Sequence, residues 1–371
     1  MKRLVLLGGG HAHVKVLTDL AERPLAGWDV HLVSPYRRQI YSGMLPGWIA
    51  GHYPIEACAI ALDALAADAR VKFHESAALG VDAADNEITC ADGTRLNFDL
   101  LSINTGPLPA INQLPGCVEH ALPIRPIEAF VAAWPELVDR MLDRCRRFEL
   151  AILGAGAAGV ELAFAAQYRA MVDGWSHVRI TLVGSGGLPL DGSPDRMRRQ
   201  VGRLLAQRGV AWLGERRALG LVAGQINFER GPAQRFDACL VVTGASAPAW
   251  PRTGGLATDE QGFIRVRDTL QSVSHPRIFA VGDVAAYAAA RPKAGVYAVK
   301  AAPVLAENLR AVCEGRAPLP WTPQQRALYL LSTGNRNALA SWGRWSIGGG
   351  WVWKWKDRID RGFMRRCGTD T

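Results

Sequence analysis

Two short glycine clusters hold the residue types that can bind a charged ligand through the backbone alone. Gly8, Gly9 and Gly10 follow the apolar residues 4–7, and His11 to His13 open a segment that reads as helix. Glycine lets the chain turn sharply and lets a ligand approach the backbone closely. The free amides at the following helix start favour an anion, and a dinucleotide pyrophosphate is the natural one. The second cluster, Gly154, Gly156 and Gly159, is a complete GxGxxG after the apolar residues 150–153. Its glycines serve the turn, the close approach and the helix–strand packing. Each cluster has a Thr-Gly pair downstream at the end of an apolar strand, Thr105-Gly106 and Thr243-Gly244.

The elements that must position these residues follow one plan, repeated. In the first copy, residues 14–20 continue the helix and 29–33 (DVHLV) form a second strand. Residues 35–51 are a loop rich in Gly, Pro and aromatics, 54–66 a helix and 71–73 a strand. Residues 77–98, with an Asp-Gly turn signal at Asp92, form a small meander. Residues 100–103 lead into Thr105-Gly106. An amphipathic helix at 128–144 bridges to the second copy, in which 178–183 (VRITLV) is the matching strand and 194–208 a basic helix. Short strands near 210–213, 219–222 and 226–228 precede the strand 237–242. A dinucleotide fold places an acid at the end of the second strand to hold the ribose hydroxyls. Ser34 stands there in the first copy, and Gly184-Ser185-Gly186-Gly187 in the second. The spacing predicts an α/β protein with two Rossmann-like dinucleotide-binding domains.

Composition limits the function classes. The 371 residues carry a formal charge of +9 and are 49% hydrophobic, enough for a large core. The seven cysteines include no CxxC pair, which excludes that type of zinc or redox motif and fits a reducing, cytoplasmic compartment. No zinc-finger, RRM or KH pattern is present, so nucleic acid is not expected as a partner. The start, MKR and a short apolar run, passes straight into GGGHAH and is read as a strand, not a signal peptide. No stretch reaches the roughly 18 apolar residues of a spanning helix.

Residues 277–285, RIFAVGDVA, resemble the FAD-binding signature of the pyridine nucleotide-disulfide oxidoreductase superfamily. With Gly8–Gly10, Thr105-Gly106 and GAGAAGVE, the resemblance runs from residue 4 to about 310. The chain is similar to type II NADH dehydrogenases and sulfide:quinone reductases. It is also similar to the flavin module associated with selenide, water dikinase, through YSGMLPG at 41–47 and RPKAGVYAVKAAPVLAENL at 291–309. The resemblance implies an FAD domain at 1–110 and 258–330, interrupted by an NAD(P) domain at 111–257, with a C-terminal segment at 331–371. It implies FAD and NAD(P)H as cofactors and hydride transfer onward to a quinone or similar acceptor. The alternatives are a partner module in selenium or sulfur metabolism without NAD(P)H turnover, and a sulfide:quinone reductase-like enzyme. Gly282 and Asp283 are implied to hold the flavin ribityl chain, with Gly8, Gly9, Gly10, His11, Ser34, Arg37, Thr105 and Gly106 around the FAD. Gly154, Gly156, Gly159, Thr243 and Gly244 are implied to hold the nicotinamide coenzyme. His13 replaces the third glycine of the first motif, so the packing there must differ.

Glu161 corresponds to a residue near the nicotinamide in relatives, or is a helix-surface glutamate. Lys293 either places positive charge near the flavin or is a solvated loop lysine. Arg196, Arg198 and Arg199, with Ser185, either receive an NADP 2′-phosphate or form a solvated helix face. His11 and His13 are spaced i, i+2, which splits them across a helix and argues against a metal site. Cys117 and Cys367 are the pair a sulfide reaction would have to bring together. Five of the twelve tryptophans, Trp342, Trp345, Trp351, Trp353 and Trp355, fall in the C-terminal segment. There WVWKW is expected as a strand and KDRIDRGFMRR as a short basic helix. This segment either lies peripherally on the inner face of the cytoplasmic membrane or covers the flavin or a homodimer interface.

Overall fold

The computed structural model describes residues 1–143, 145–242, 244–324, 328–343 and 345–367. It contains two five-stranded parallel sheets with the same order. In the first, Ile278–Ala280, Leu100–Ile103, Lys2–Leu7, Trp28–Ser34 and Lys72–Glu75 lie side by side. In the second, Leu122–Pro123, Ala238–Val241, Phe148–Leu153, Val178–Val183 and Ala211–Leu213 do so. The central strands are buried almost throughout, as near-continuous apolar runs require when both sheet faces are covered. In each sheet the strand before the glycine turn lies between the second strand and the strand that ends in Thr-Gly or its equivalent. Both glycine turns therefore open at the carboxyl ends of their sheets, where open α/β sheets bind ligands.

The repeat extends beyond the sheets. Ala78–Asp82, Glu87–Cys90 and Arg95–Asn97 form one antiparallel meander, and Ala218–Val222, Gln225–Phe228 and Gln234–Arg235 the other. Both open on Ala-Leu-Gly, and both have a register shift between the alanine and the glycine. The helices after the glycine turns, His11–Glu22 and Ala157–Val172, pack on their sheets, and Gly295–Cys313 lies along the first of them.

The described strands and helices depart from three local expectations. Residues 54–66 are a short turn at Glu56–Cys58, a strand Ala59–Ala61 and a helix Leu62–Asp68. That strand pairs with Arg38–Ile40 from the preceding aromatic loop, a non-local contact that overrides helix propensity. The same loop also contains a helix, Leu45–Ile49. WVWKW is not a strand. The C-terminal sheet consists of Tyr329–Ser332, Ala338–Trp342 and Trp345–Gly349, and a single helix Gly350–Arg366 follows. Val352, Lys356, Asp360, Phe363 and Met364 form its buried face, at helical spacing.

Candidate functional site

The first glycine turn is tight: a Cβ on Gly9 would lie 2.2 Å from Leu62, and one on Gly10 2.2 Å from Asn104 Oδ1. Gly8 has φ +94°, and a Cβ there would lie 2.6 Å from the backbone of Asn104 and Thr105. The strand end Asn104-Thr105 therefore closes directly over the turn. Asn104 is buried and clamps two motifs together. Its Oδ1 accepts the Ala12 N–H at 3.0 Å, and its Nδ2 donates to the Val281 carbonyl at 2.8 Å. The turn and the strand leading to Asp283 are thus held by one side chain.

His13 occupies the third-glycine position and is completely buried. Its Nδ1 meets the Gly8 carbonyl at 2.6 Å, and its Nε2 meets Ser102 Oγ at 2.8 Å. A carbonyl only accepts, so Nδ1 carries the proton and Nε2 accepts from the serine hydroxyl. Burial lowers the His13 pKa to about 4, against the opposing bond to Gly8, so the ring is neutral. His11, at the helix start, has its pKa lowered to about 4 by burial and by nearby Arg125. Its Nε2 is buried without a hydrogen-bond partner, beside Tyr41 (5.5 Å between ring centres) and Phe363 (5.8 Å). An orphaned nitrogen at a helix N-terminus is a polar group suited to a ligand.

Asp283 lies in the turn Gly282–Val284, directly after the strand Ile278–Ala280. Burial raises its pKa, while Arg125 and Lys293 oppose the rise. Arg125 Nη1 reaches its Oδ2 at 3.4 Å. A cavity of about 600 Å³ opens beside it, lined among others by Arg265, Tyr287, Arg291 and Lys293. Lys293 Nζ donates to the Ala285 carbonyl at 2.7 Å and stands 3.6 Å over the Phe263 ring. It is therefore not a free solvated lysine. Burial lowers its pKa, and Asp283 and Asp259 oppose that. Ser34 is buried and close to Gly9, since a Cβ on Gly9 would lie 3.1 Å from its Oγ. Arg37 is exposed and tied to Glu75 at 2.7 Å and Asp63 at 3.6 Å. Glu75 is the register partner of Ser34 on the next strand. Thr105 is exposed at the rim beside Gly106.

The second turn is closed differently. A Cβ on Gly159 would lie 1.8 Å from the Gly154 carbonyl, so helix and turn touch with no room for a side chain. Gly156 caps the helix Ala157–Val172, and Gly244 stands open downstream. Thr243 lies outside the described residues.

Glu161, one turn into that helix, is partly buried, and its Oε1 accepts the Ser332 N–H at 2.7 Å. Burial raises its pKa to about 7, against Lys356 and the Ser332 bond. Sequence reasoning missed the groups that surround it. Lys356, on the C-terminal helix, donates to the Gly43 carbonyl and to Asp360 Oδ2, both at 2.6 Å. Asp360 also accepts from Tyr41 Oη at 3.1 Å. Burial disfavours the Lys356 ammonium, but Asp360 and Glu161 outweigh it and raise its pKa. Burial raises the Asp360 pKa, and Lys356 opposes that. The C-terminal helix therefore forms a wall of the region between the two turns.

Two other sequence groupings are not brought together. Cys117 packs with Cys239 under the second sheet, whereas Cys367 packs in the main core. Burial raises both thiols, Cys367 to about 11. Arg198 is committed to its own loop, through Asp191 at 2.8 Å and the Leu188 carbonyl at 3.1 Å. Arg196 and Arg199 face the C-terminal strand instead.

Among solved structures, the sulfide:quinone oxidoreductase of Aquifex aeolicus superposes with a TM-score of 0.82 at 18% identity, covering 99% of this chain and 91% of that one. NDH2 of Plasmodium falciparum in complex with NADH gives 0.84 at 13% identity, covering 98% and 97%. Among proteins similar in sequence, the NADH dehydrogenase-like protein YutJ of Bacillus subtilis (strain 168) is 24% identical over 299 residues, 77% of each chain. Demethylphylloquinone reductase NdbB of Synechocystis sp. is 25% identical over 294 residues, 76% of this chain and 71% of its own. Residues 2–302 match the family model described as pyridine nucleotide-disulphide oxidoreductase. With two such dinucleotide turns on matched sheets, the chain belongs to the pyridine nucleotide-disulphide oxidoreductase family.

Proposed function

We propose that this protein is an FAD-dependent oxidoreductase that takes a hydride from NAD(P)H and passes electrons to a quinone. The observation that carries this reading is the pair of glycine turns, one facing Asp283 and one beside Glu161, with the C-terminal helix between them. Residues 1–110 and 258–330 form the flavin unit, 111–257 the coenzyme unit, and 331–371 the C-terminal segment. The first turn fits a flavin dinucleotide through its side-chain-free glycine backbone at a helix start, the unpartnered His11 Nε2 and the buried Asp283 carboxylate. Gly8, Gly9, Gly10 and the helix start take the pyrophosphate, with Ser34 and Arg37 toward the nucleotide ribose and Thr105-Gly106 at the rim. Gly282 and Asp283 take the ribityl hydroxyls. Gly154, Gly156, Gly159 and Gly244, with Thr243, take the coenzyme. When bound, the flavin supplies the two-electron chemistry.

The chain's own residues position and exchange protons. Quinone reduction consumes two electrons and two protons, so a carboxyl group poised near neutrality is useful beside the acceptor. Glu161, with its pKa near 7, holds such a proton, and Lys356 keeps positive charge beside it. Lys293 contributes positive charge near Asp283.

The outer face of the C-terminal helix supports docking on a membrane surface. Trp351, Trp355 and Ile359 are exposed at 56%, 39% and 42% in one stripe, beside a row of Lys354, Arg358, Arg361 and Arg365. An apolar stripe flanked by cations suits the boundary between headgroups and acyl chains. The same tryptophans are the face a homodimer would use, and the basic row favours lipid. Among the described residues, no helix is long and apolar enough to cross a membrane. The functional test is coenzyme oxidation with a water-soluble quinone. The quinone is expected to accelerate oxidation of NADH or NADPH; no quinone-dependent oxidation of either coenzyme overturns the reading.

A further inference from the structure

We infer that the cavity between the basic helix Asp195–Gln207 and the strand Trp345–Gly349 binds the phosphate headgroup of an anionic lipid. This inference rests on the membrane-surface reading above. The cavity measures about 640 Å³, and Arg196, Arg199 and Arg203 line it from one side. Their i, i+3, i+7 spacing puts all three on one face, opposite the buried Met197, Val201 and Leu205. Across from them stand Ser346, Ile347 and Trp351. Ser346 Oγ bonds Gln200 Oε1 at 3.1 Å, which ties the two walls together.

The arginines are not committed to the protein. Arg196 and Arg203 make no hydrogen bond or ion pair with the described residues, and Arg199 has one contact to Asp195 at 4.0 Å. Arg198 on the same helix shows the contrast, with ion pairs to Asp191 at 2.8 Å and Asp195 at 3.5 Å. Three guanidinium groups gathered at one cavity repel one another, and a phosphate relieves that repulsion through charge-assisted, bidentate bonds.

The lip of the cavity selects a lipid over a free anion. Ile347 is 49% and Trp351 56% exposed, and Trp351 starts the outward stripe that continues to Trp355 and Ile359. A cationic floor with an apolar lip matches a headgroup with its acyl chains beside it. A free phosphate would use the floor and leave the lip bare. The site also joins the second sheet unit to the C-terminal segment, so lipid binding would fix both against the membrane.

The test uses full-length, FAD-loaded protein and sedimentation with vesicles. One set is phosphatidylcholine alone and the other contains phosphatidylglycerol. Wild-type protein is expected to partition more strongly onto the anionic vesicles. The variant R196Q/R199Q/R203Q is expected to lose most of that preference, about tenfold or more at low salt, while binding to neutral vesicles stays unchanged. R217Q/R230Q/R235Q, an equal charge change at exposed residues of the second meander, is expected to retain the preference. Equal loss in both variants overturns the pocket in favour of general charge, and no loss in the first overturns it outright. Inorganic phosphate at matched ionic strength is expected to compete only at concentrations well above that of the lipid, because it uses the floor without the lip; displacement at equal concentration assigns the site to a free anion and overturns the lipid. If the wild type binds neither vesicle, the membrane reading itself fails and the inference falls with it.

Discussion

The two glycine turns have nearly the same backbone and are sealed by opposite means. Each begins with a glycine amide bonded to the neighbouring strand, Gly8 to Val33 at 2.8 Å and Gly154 to Val183 at 2.9 Å. Each ends in an extended glycine that caps a helix, Gly10 and Gly156. At the third position the second turn closes by contact, with Gly159 packed on the Gly154 carbonyl. The first closes by hydrogen bonding, with the neutral His13 ring bridging Gly8 and Ser102. A third glycine is therefore one solution to a packing problem, and a buried, fully bonded side chain is another.

Substitutions that exchange the two solutions test this contrast. The largest effect is expected for Gly159→Ala, because the new Cβ meets a backbone oxygen that cannot move without opening the turn. A loss of about 3 kcal/mol or more, seen as a lower Tm together with lost coenzyme binding, is the expected outcome. A variant that binds coenzyme normally would show that the contact is not what closes the turn.

His13→Ala comes next. It removes both bonds, leaves a cavity and strands the Ser102 hydroxyl, at a cost of about 2 kcal/mol. FAD should be retained more weakly while the coenzyme turn is unaffected. Unchanged flavin retention would contradict the bridging role.

Glu161→Gln is the mildest and depends on pH. The native pKa of about 7 lies above the ordinary 4.5 of a glutamate, so the folded state binds the extra proton. Wild-type stability therefore falls as pH rises from 4.5 to 7. The glutamine does not titrate. Relative to wild type, its Tm should rise across that window, by roughly 2–4 °C for each kcal/mol, and level off above it. A difference independent of pH would place Glu161 outside the buried network.

Much of the architecture was legible because its signals are local. Apolar runs, glycine clusters and the RIFAVGDVA strand each announce themselves within ten residues. The duplication was equally visible, and the twin meanders repeat it. What the sequence hid lies in contacts between distant segments. Asn104 reads as an ordinary residue before Thr-Gly, yet it clamps the first turn to the Asp283 strand. Tyr41, Lys356 and Asp360 come together from opposite ends of the chain, and no local pattern links them. The misread WVWKW has a physical reason as well. Trp351 and Trp355 are exposed at helical spacing, and five residues of alternation cannot separate that period from a strand's.

The central claim is that one turn holds the flavin and the other delivers hydride to it. Anaerobic titration of the FAD-loaded protein with NADH, and separately with NADPH, tests it directly. The account predicts that the visible absorbance of the flavin bleaches with at least one coenzyme and returns when quinone is added. A flavin that stays oxidised with both coenzymes would contradict it.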